Sequence, residues 1–247
     1  MEPKITIQIP TYKNHSQLQT TLASLHKYDT SPYLVRVINN DPSGGIYVEE
    51  ICQKFVGVEV IHGGGNIGWM GAHNLALKTC TTPLVCLLND DVVFLPCDDG
   101  DFFERLTAYF SDPKVGATGP SSNFGMGGQN LWGIEYPNVY ESTLLIGFCV
   151  VMRTDLIKEI GGLDETLPGG DDFDWCIRIR DAGYKLIVDR TCFLHHIGNQ
   201  TGGRLHNDWD GVVHQENTVN AIVRKHGVRK WHDTMQSKVL KPISDLA

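Results

Sequence analysis

A chain of 247 residues can bury one large core, and 41% hydrophobic with 20% charged residues is the balance of a globular protein rather than a disordered one. The formal charge of −8 opposes broad electrostatic binding to nucleic acid or to an anionic membrane surface, so an anionic small ligand would need a bridging cation. No apolar run approaches the roughly 18 residues of a membrane span, and residues 1–9 are too short and polar for a signal peptide, so a soluble, cytosolic protein is expected.

The chain opens with KITIQI at residues 4–9, a β-rich run stopped by Pro10. Residues 16–28 place Leu18, Leu22 and Leu25 at helical spacing behind a Ser or Asn cap. LVRVI at 34–38 predicts a second strand, ended by the turn-forming NNDPSGG. A helix over 47–55, the strand GVEVI at 57–61, a glycine-rich turn and a helix over 70–78 follow. LVCLL at 84–88 is apolar throughout, as suits a strand buried on both faces. Strands and helices in this alternation imply a parallel sheet with right-handed crossovers. The second half is less regular. It holds a helix over 101–110, a Gly, Asn and Ser loop over 121–133 too long for a mere connection, and an apolar strand over 143–152. Helices over 155–160 and 173–182, short strands at 185–188 and 191–194, and a closing helix over 212–226 complete it. The seven cysteines, scattered and without a CxxC pair, read as reduced core residues.

In such sheets ligands bind beyond the carboxyl ends of the strands. There the sequence places Thr11 and Tyr12, Asn39 to Asp41, Gly63 to Asn66, and Asn89 to Asp91, all in polar or glycine-rich loops. Mg²⁺ and Mn²⁺ take oxygen ligands and join carboxylates to phosphates, so Asp91, at the end of the buried strand, is the first metal-ligand candidate, set against a plain solvated turn. GGGNIGWMGAHN at 63–74 lies between a strand and a helix, as a phosphate-cradling loop does, but lacks GxGxxG and GK[ST] and reads equally as a flexible turn. His195 and His196 close the strand TCFL; adjacent side chains point to opposite faces, so only one of the two can complete a cation site begun by Asp91. His206, Asp208, Asp210 and His214 form a patch whose irregular spacing favours a solvated loop over a metal site. GGDDFDWCIR at 169–178 crowds Asp171, Asp172 and Asp174 before an apolar helix face, where each raises the cost of ionising its neighbours. One cap needs one Asp, and the surplus calls for a cation, a substrate or a proton to move.

Taken in order, IQIPTYKN, VINNDPS, GGGNIGWMGAHNLAL, LVCLLNDDV, LIGFCVVMRTDLIKEIGGLDE, GGDDFDWCIRIRDAGYKL and FLHHIGNQT resemble the motifs of inverting family 2 glycosyltransferases with the GT-A fold, particularly their bacterial and phage rhamnosyltransferase-like branch, over residues 4–202. The resemblance implies a single α/β GT-A domain over 1–247, with a Rossmann-like, mostly parallel central sheet flanked by helices. Residues 1–95 would be the nucleotide-binding half, 96–205 the less regular acceptor and catalytic half, and 206–247 a C-terminal helical segment. The activity implied is metal-dependent, inverting transfer of a sugar from a UDP-, dTDP- or GDP-sugar to a hydroxyl acceptor such as a saccharide, with Mn²⁺ or Mg²⁺ bound. Pro10, Thr11 and Tyr12 would flank base and ribose; Asn39 or Asn40 would contact the base, although the family usually carries Asp where Asn39 stands. Asn66, Gly68 and Asn74 would shape the nucleotide-sugar pocket. Asn89-Asp90-Asp91 is similar to a DxD motif with Asn for its first acid, leaving Asp91 on the metal with the late His196, and Asp90 near ribose or sugar. GGDDFDWCIR is similar to the family's EDxD segment: Asp172 falls at the catalytic base, Asp171 would bind acceptor or donor sugar, and Asp174 would serve the helix start or pair with Arg178. Trp132 and Trp175 would offer apolar faces to an acceptor sugar.

Other readings stay open on the sequence. A nucleotidyltransferase is opposed by the lack of a basic glycine-rich loop near the N-terminus, and a non-catalytic nucleotide-sugar or carbohydrate-binding module is motivated by Asn89 in place of an acid. Transfer to modified DNA bases would need a local basic groove from Arg178, Arg180, Arg204 and Arg224.

Overall fold

The computed structural model describes residues 2–97, 100–132, 136–198 and 211–243, with the backbone alone for 211–215. Its first half follows the expected alternation: β1 (Ile5–Thr11), α1 (His15–Tyr28), β2 (Tyr33–Asn39), α2 (Gly45–Cys52), β3 (Val58–His62), α3 (Gly68–Leu77) and β4 (Leu84–Leu88). The four strands are parallel and stand in the order β4-β1-β2-β3. Alternation along each strand divides the core between the two faces of the sheet. Ile5, Ile7 and Ile9 of β1 and Cys86 of β4 pack with Leu18, Leu22 and Leu25 of α1 and with Val48 of α2. Val85 and Leu87 of β4 take the opposite face, against Leu77 of α3. That two-faced burial is why LVCLL shows no polar position.

The second half continues the sheet with β5 (Val92–Phe94), β6 (Val115–Ser122), β7 (Val139–Ser142), β8 (Cys149–Arg153), β9 (Lys185–His196) and β10 (Val239–Pro242). Helices α4 (Phe102–Ala108), α5 (Thr154–Glu159), α6 (Asp171–Asp181), α7 (Gly211–His226) and α8 (Val228–Met235) accompany them. The order runs β10-β7-β9-β6-β8 and joins the first half through antiparallel β8 and β4, while β5 pairs with the end of β9. Only β6 and β9 pair in parallel here, so this half is mixed.

Three sequence expectations need correction. The apolar run 143–152 is a strand only from Cys149; residues 143–148 leave the sheet, yet Leu144, Leu145 and Phe148 still fill the core. VGATGPSS, unread as a strand, is β6 and buried at every position. A Cβ on its Gly116 would lie 2.8 Å from side-chain atoms of Ile179 and Tyr184, so glycine here permits close packing rather than a turn. The short strands at 185–188 and 191–194 are one strand, β9, interrupted by an excursion: Pro120 pairs with Asp189, but Ser121 pairs with Phe193. The Ser121 hydroxyl faces the carbonyls of Arg190 and Cys192 at 3.1 and 3.0 Å and ties the excursion down. All seven cysteines are free thiols. Among the described residues no helix is long and apolar enough to cross a membrane.

Candidate active site

The polar loops at the carboxyl ends of β1 to β4 meet as expected for an open α/β sheet. The Asn40 N–H donates to the Thr11 carbonyl at 2.9 Å and the Gly63 N–H to the Asn39 carbonyl at 3.0 Å. Asn39 accepts the Asp41 N–H through Oδ1, and Asn40 donates from Nδ2 to the Gly68 carbonyl at 3.1 Å. Asn66 accepts the Gly68 N–H, and Gly68 itself has a φ of 74°, a left-handed conformation suited to glycine. Pro10 and Thr11 are buried at the end of β1, with Tyr12 half-buried beside them. Asn74 stands apart from this group. Its amide exchanges hydrogen bonds with the backbone of Leu163 at 2.8 Å and donates to Glu165 at 2.7 Å, so it pins α3 to the GGLDE loop instead of shaping a pocket.

At the end of β4 the three polar residues diverge. Asp90 turns under α1, accepting the Asn14 amide at 3.1 Å, and burial pushes its carboxyl up to about 7. Asp91 lies beside His196 because β5, directly after it, pairs antiparallel with β9 and sets Val92 opposite His196. The Asp91 Oδ1 to His196 Nε2 distance is 3.2 Å, both side chains are almost wholly buried, and Oδ1 accepts no hydrogen bond among the described residues. His196 Nδ1 is 3.2 Å from the Phe124 carbonyl, which can only accept, so Nδ1 is the donor and Nε2 is the nitrogen turned toward Asp91. Phe148 stacks on the imidazole at 5.2 Å. His195 is exposed on the opposite face of β9. Among the described residues no group of three or more His, Cys, Asp or Glu side chains is placed to hold a metal ion. Asp91 and His196 nevertheless fit a hard cation of the kind that keeps several waters and takes its other oxygens from a substrate phosphate, since Asp91 Oδ1, which accepts no hydrogen bond among the described residues, and His196 Nε2 converge 3.2 Å apart.

Asp171 and Asp172 open α6 behind Gly170, whose φ of 73° fixes the entry of the chain. Asp172 Oδ1 accepts the Gly147 N–H at 2.7 Å. Burial foremost, then the charge of Asp171, holds its carboxyl well above the usual carboxylate range, against the opposing effect of that N–H. Asp171 is raised too, again chiefly by burial. With Trp69, Asn89, Gly147 and His196 the two carboxylates wall a cavity of about 230 Å³. The third carboxylate is structural. Asp174, 1% exposed, accepts Arg178 Nε and Nη2 at 2.8 and 2.6 Å, as the i,i+4 spacing allows, and Lys225 and His226 of α7 at 2.7 Å each.

Trp175 is fully buried between α6 and the sheet and offers no face to a sugar. Trp132 is 71% exposed on the loop after β6, away from the cavity walls. Arg178 is spent on Asp174, and Arg180 donates to Thr234, so the basic groove required for nucleic acid does not form from them. Arg204, His206, Asp208 and Asp210 lie outside the described residues, as does the side chain of His214. Four wall residues escaped the sequence: Trp69, Ile146, Gly147 and Phe148. A Cβ at Gly147 would lie 2.8 Å from Asp172 Oδ1 and 3.1 Å from Trp69 Cη2. Gly147→Ala is therefore expected to displace the Asp172 carboxyl; a crystal structure of the variant with that carboxyl unmoved would show that its placement does not depend on glycine at 147.

The family model for glycosyl transferase family 2 matches residues 6–161, from β1 through α5. A pre-mycofactocin glycosyltransferase of Mycobacterium tuberculosis is 29% identical over 211 residues, covering 78% of this chain and 42% of that protein. This chain thus spans less than half the length of that relative. Among solved structures, the mannosyltransferase PcManGT of Pyrobaculum calidifontis in complex with GDP-Man and Mn²⁺ matches with a TM-score of 0.68 at 16% identity, over 91% of this chain and 65% of that one. TarS of S. aureus matches with a TM-score of 0.63 at 14% identity, over 92% and 82%. These likenesses are of fold, and they make the three-layer α/β architecture a GT-A domain. With the family model running through all four parallel strand ends and the Asp91 turn, the chain belongs to glycosyl transferase family 2.

Proposed function

We propose that the chain is a metal-dependent, inverting glycosyltransferase that moves a sugar from a nucleoside diphosphate sugar to a hydroxyl acceptor. The observation that carries this reading is the single cavity in which Asp172 faces Asn89 and His196, next to the Asp91–His196 pair. Inversion requires one base on the face opposite the leaving diphosphate. Asp172 is suited to it: one oxygen is anchored on the Gly147 N–H, and the raised carboxyl is a stronger base than an exposed Asp. As the acceptor oxygen bonds to the anomeric carbon, its proton passes to Asp172 and the bond from that carbon to the diphosphate oxygen breaks. Asp91 and His196 would hold the Mn²⁺ or Mg²⁺, whose charge offsets that developing on the leaving diphosphate. Thr11, Tyr12, Asn39 and Asn40 line the edge assigned to base and ribose. UDP-, dTDP- and GDP-sugars are the donor candidates, and a saccharide hydroxyl is the acceptor in this reading.

The test needs no acceptor. UDP, dTDP and GDP are each added with Mn²⁺ or with chelator, and the melting temperature is recorded. A nucleotide at 100 times its dissociation constant adds about 2.7 kcal/mol of stability. Stabilisation by one diphosphate is expected, abolished by chelator and by Asp91→Ala. Absence of any shift with all three nucleotides would reject the donor site, and a shift that survives both chelator and Asp91→Ala would reject its metal dependence.

A further inference from the structure

Trp69 stands at the start of α3, directly over the end of β4. Its indole Nε1, which can only donate, lies 3.0 Å from Asn89 Oδ1. That contact settles which end of the amide faces which way, because the oxygen must lie toward the indole. The NH₂ group then faces the cavity, where Nδ2 is 3.3 Å from His196 Nε2. When a cation takes the Nε2 lone pair, neither amide hydrogen is spent on the imidazole and both are available at the cavity wall. Donor directions agree from Trp69 to Asn89 and from His196 Nδ1 to the Phe124 carbonyl, which leaves Nε2 for the cation.

The indole is itself braced. Its ring stands edge-on to His73 with centroids 4.3 Å apart, and His73 Nδ1 is 3.1 Å from Gln8 Oε1 of β1. Both side chains are wholly buried, and desolvation holds the imidazole pKa down to about 3, so the brace is neutral. On its other side the indole abuts Gly147, the residue that anchors Asp172.

Two acidic side chains, Asp171 and Asp172, face Asn89 across the cavity. They repel a diphosphate and suit a neutral polyhydroxylated ring. We propose that Trp69 is a positioning residue that fixes the Asn89 amide with its NH₂ group toward the transferred sugar, so that the Trp69–Asn89 pair reads one sugar oxygen and contributes to donor-sugar choice. The inference rests on the glycosyl-transfer reading above and deepens it.

Calorimetry with Mn²⁺ separates the two. The probes are UDP, dTDP and GDP, each against its sugar: UDP-glucose, UDP-galactose, dTDP-rhamnose and GDP-mannose. For the sugar that binds best, the affinity ratio of nucleotide sugar to bare nucleotide is measured in wild type, Asn89→Asp, Asn89→Ala and Trp69→Phe. Asp at 89 still accepts from the indole but has no hydrogen to give, and Phe at 69 keeps the ring but releases the amide. The ratio is expected to fall about tenfold in all three variants, as for one lost hydrogen bond, with bare-nucleotide affinity within about twofold of wild type. A wild-type ratio in both Asn89 variants would overturn the proposal, as would an equal loss of bare-nucleotide affinity. A wild-type ratio in Trp69→Phe alone would remove the role of the indole. Bare nucleotide binding with no gain from any of the sugars would also overturn it, whereas no binding of any nucleotide by the wild type would reject the donor-site reading itself.

Discussion

On the proposed general-base role, Asp172→Asn is expected to leave nucleotide binding and folding intact and to lower transfer by about 10²- to 10⁴-fold. The amide keeps an oxygen for the Gly147 N–H, so the start of α6 has no reason to move, and only the proton acceptor is lost. The pH profile gives a second readout. Because burial and the charge of Asp171 raise the Asp172 carboxyl, the rising limb of turnover lies above the ordinary carboxylate value of 3.8, and activity grows as pH climbs through it. Asp171→Asn removes a like charge and is expected to shift that limb to lower pH. Turnover in Asp172→Asn within threefold of wild type would remove Asp172 from the chemistry.

Asp174→Ala carries the largest expected cost in stability. It leaves Arg178, Lys225 and His226 gathered around a site that no longer holds their anion, and breaking such a buried cluster costs about 3–5 kcal/mol. Lys225 is a third exposed and contributes least, so the lower figure applies, equivalent to a melting temperature lower by about 10 °C. The exposed pair Lys230–Asp181 is the control: Asp181→Ala should change stability by less than about 0.5 kcal/mol. Although burial raises the Asp174 carboxyl, bonds from Lys225, His226 and Arg178 outweigh it and bring the value below 3.8. The stabilisation from this group is thus complete above pH 3.8 and disappears as pH falls through the lower folded-state value. Equal melting of the Asp174 and Asp181 variants would mean that α7 is not anchored to α6 by this carboxylate.

The parallel half was legible because its signals are local. Apolar runs such as KITIQI and LVCLL, each followed by polar or glycine-rich residues, announce a strand and its ligand-facing end without knowledge of any partner. β6 gave no such signal. Its glycines are dictated by Leu156, Ile179 and Tyr184, which come from distant parts of the chain, and Gly119 likewise would crowd Gln129 and Leu145. β5 is three residues long and exists through its pairing with β9, so nothing near residues 92–94 reveals it. Within the site, Asp171 and Asp172 of the crowded GGDDFDWCIR both line one cavity. Composition could not say that the third acid is a structural anchor for α7, because Lys225 and His226 are about fifty positions away. Trp69 and Trp175 show the limit most sharply. Both belong to helices, and only tertiary packing turns one indole toward the cavity and the other into the core.

The excursion in β9 has an arithmetic consequence. Pairing resumes at Phe193 after skipping Arg190, Thr191 and Cys192, an odd number, so every side chain beyond that point has its parity reversed relative to an unbroken ladder. In that resumed register, held also by the pairing with β5, His196 faces Asp91 and His195 faces solvent. The two histidines are chemically the same word, and the frame in which it is read is set upstream by the three residues that Ser121 holds out of register.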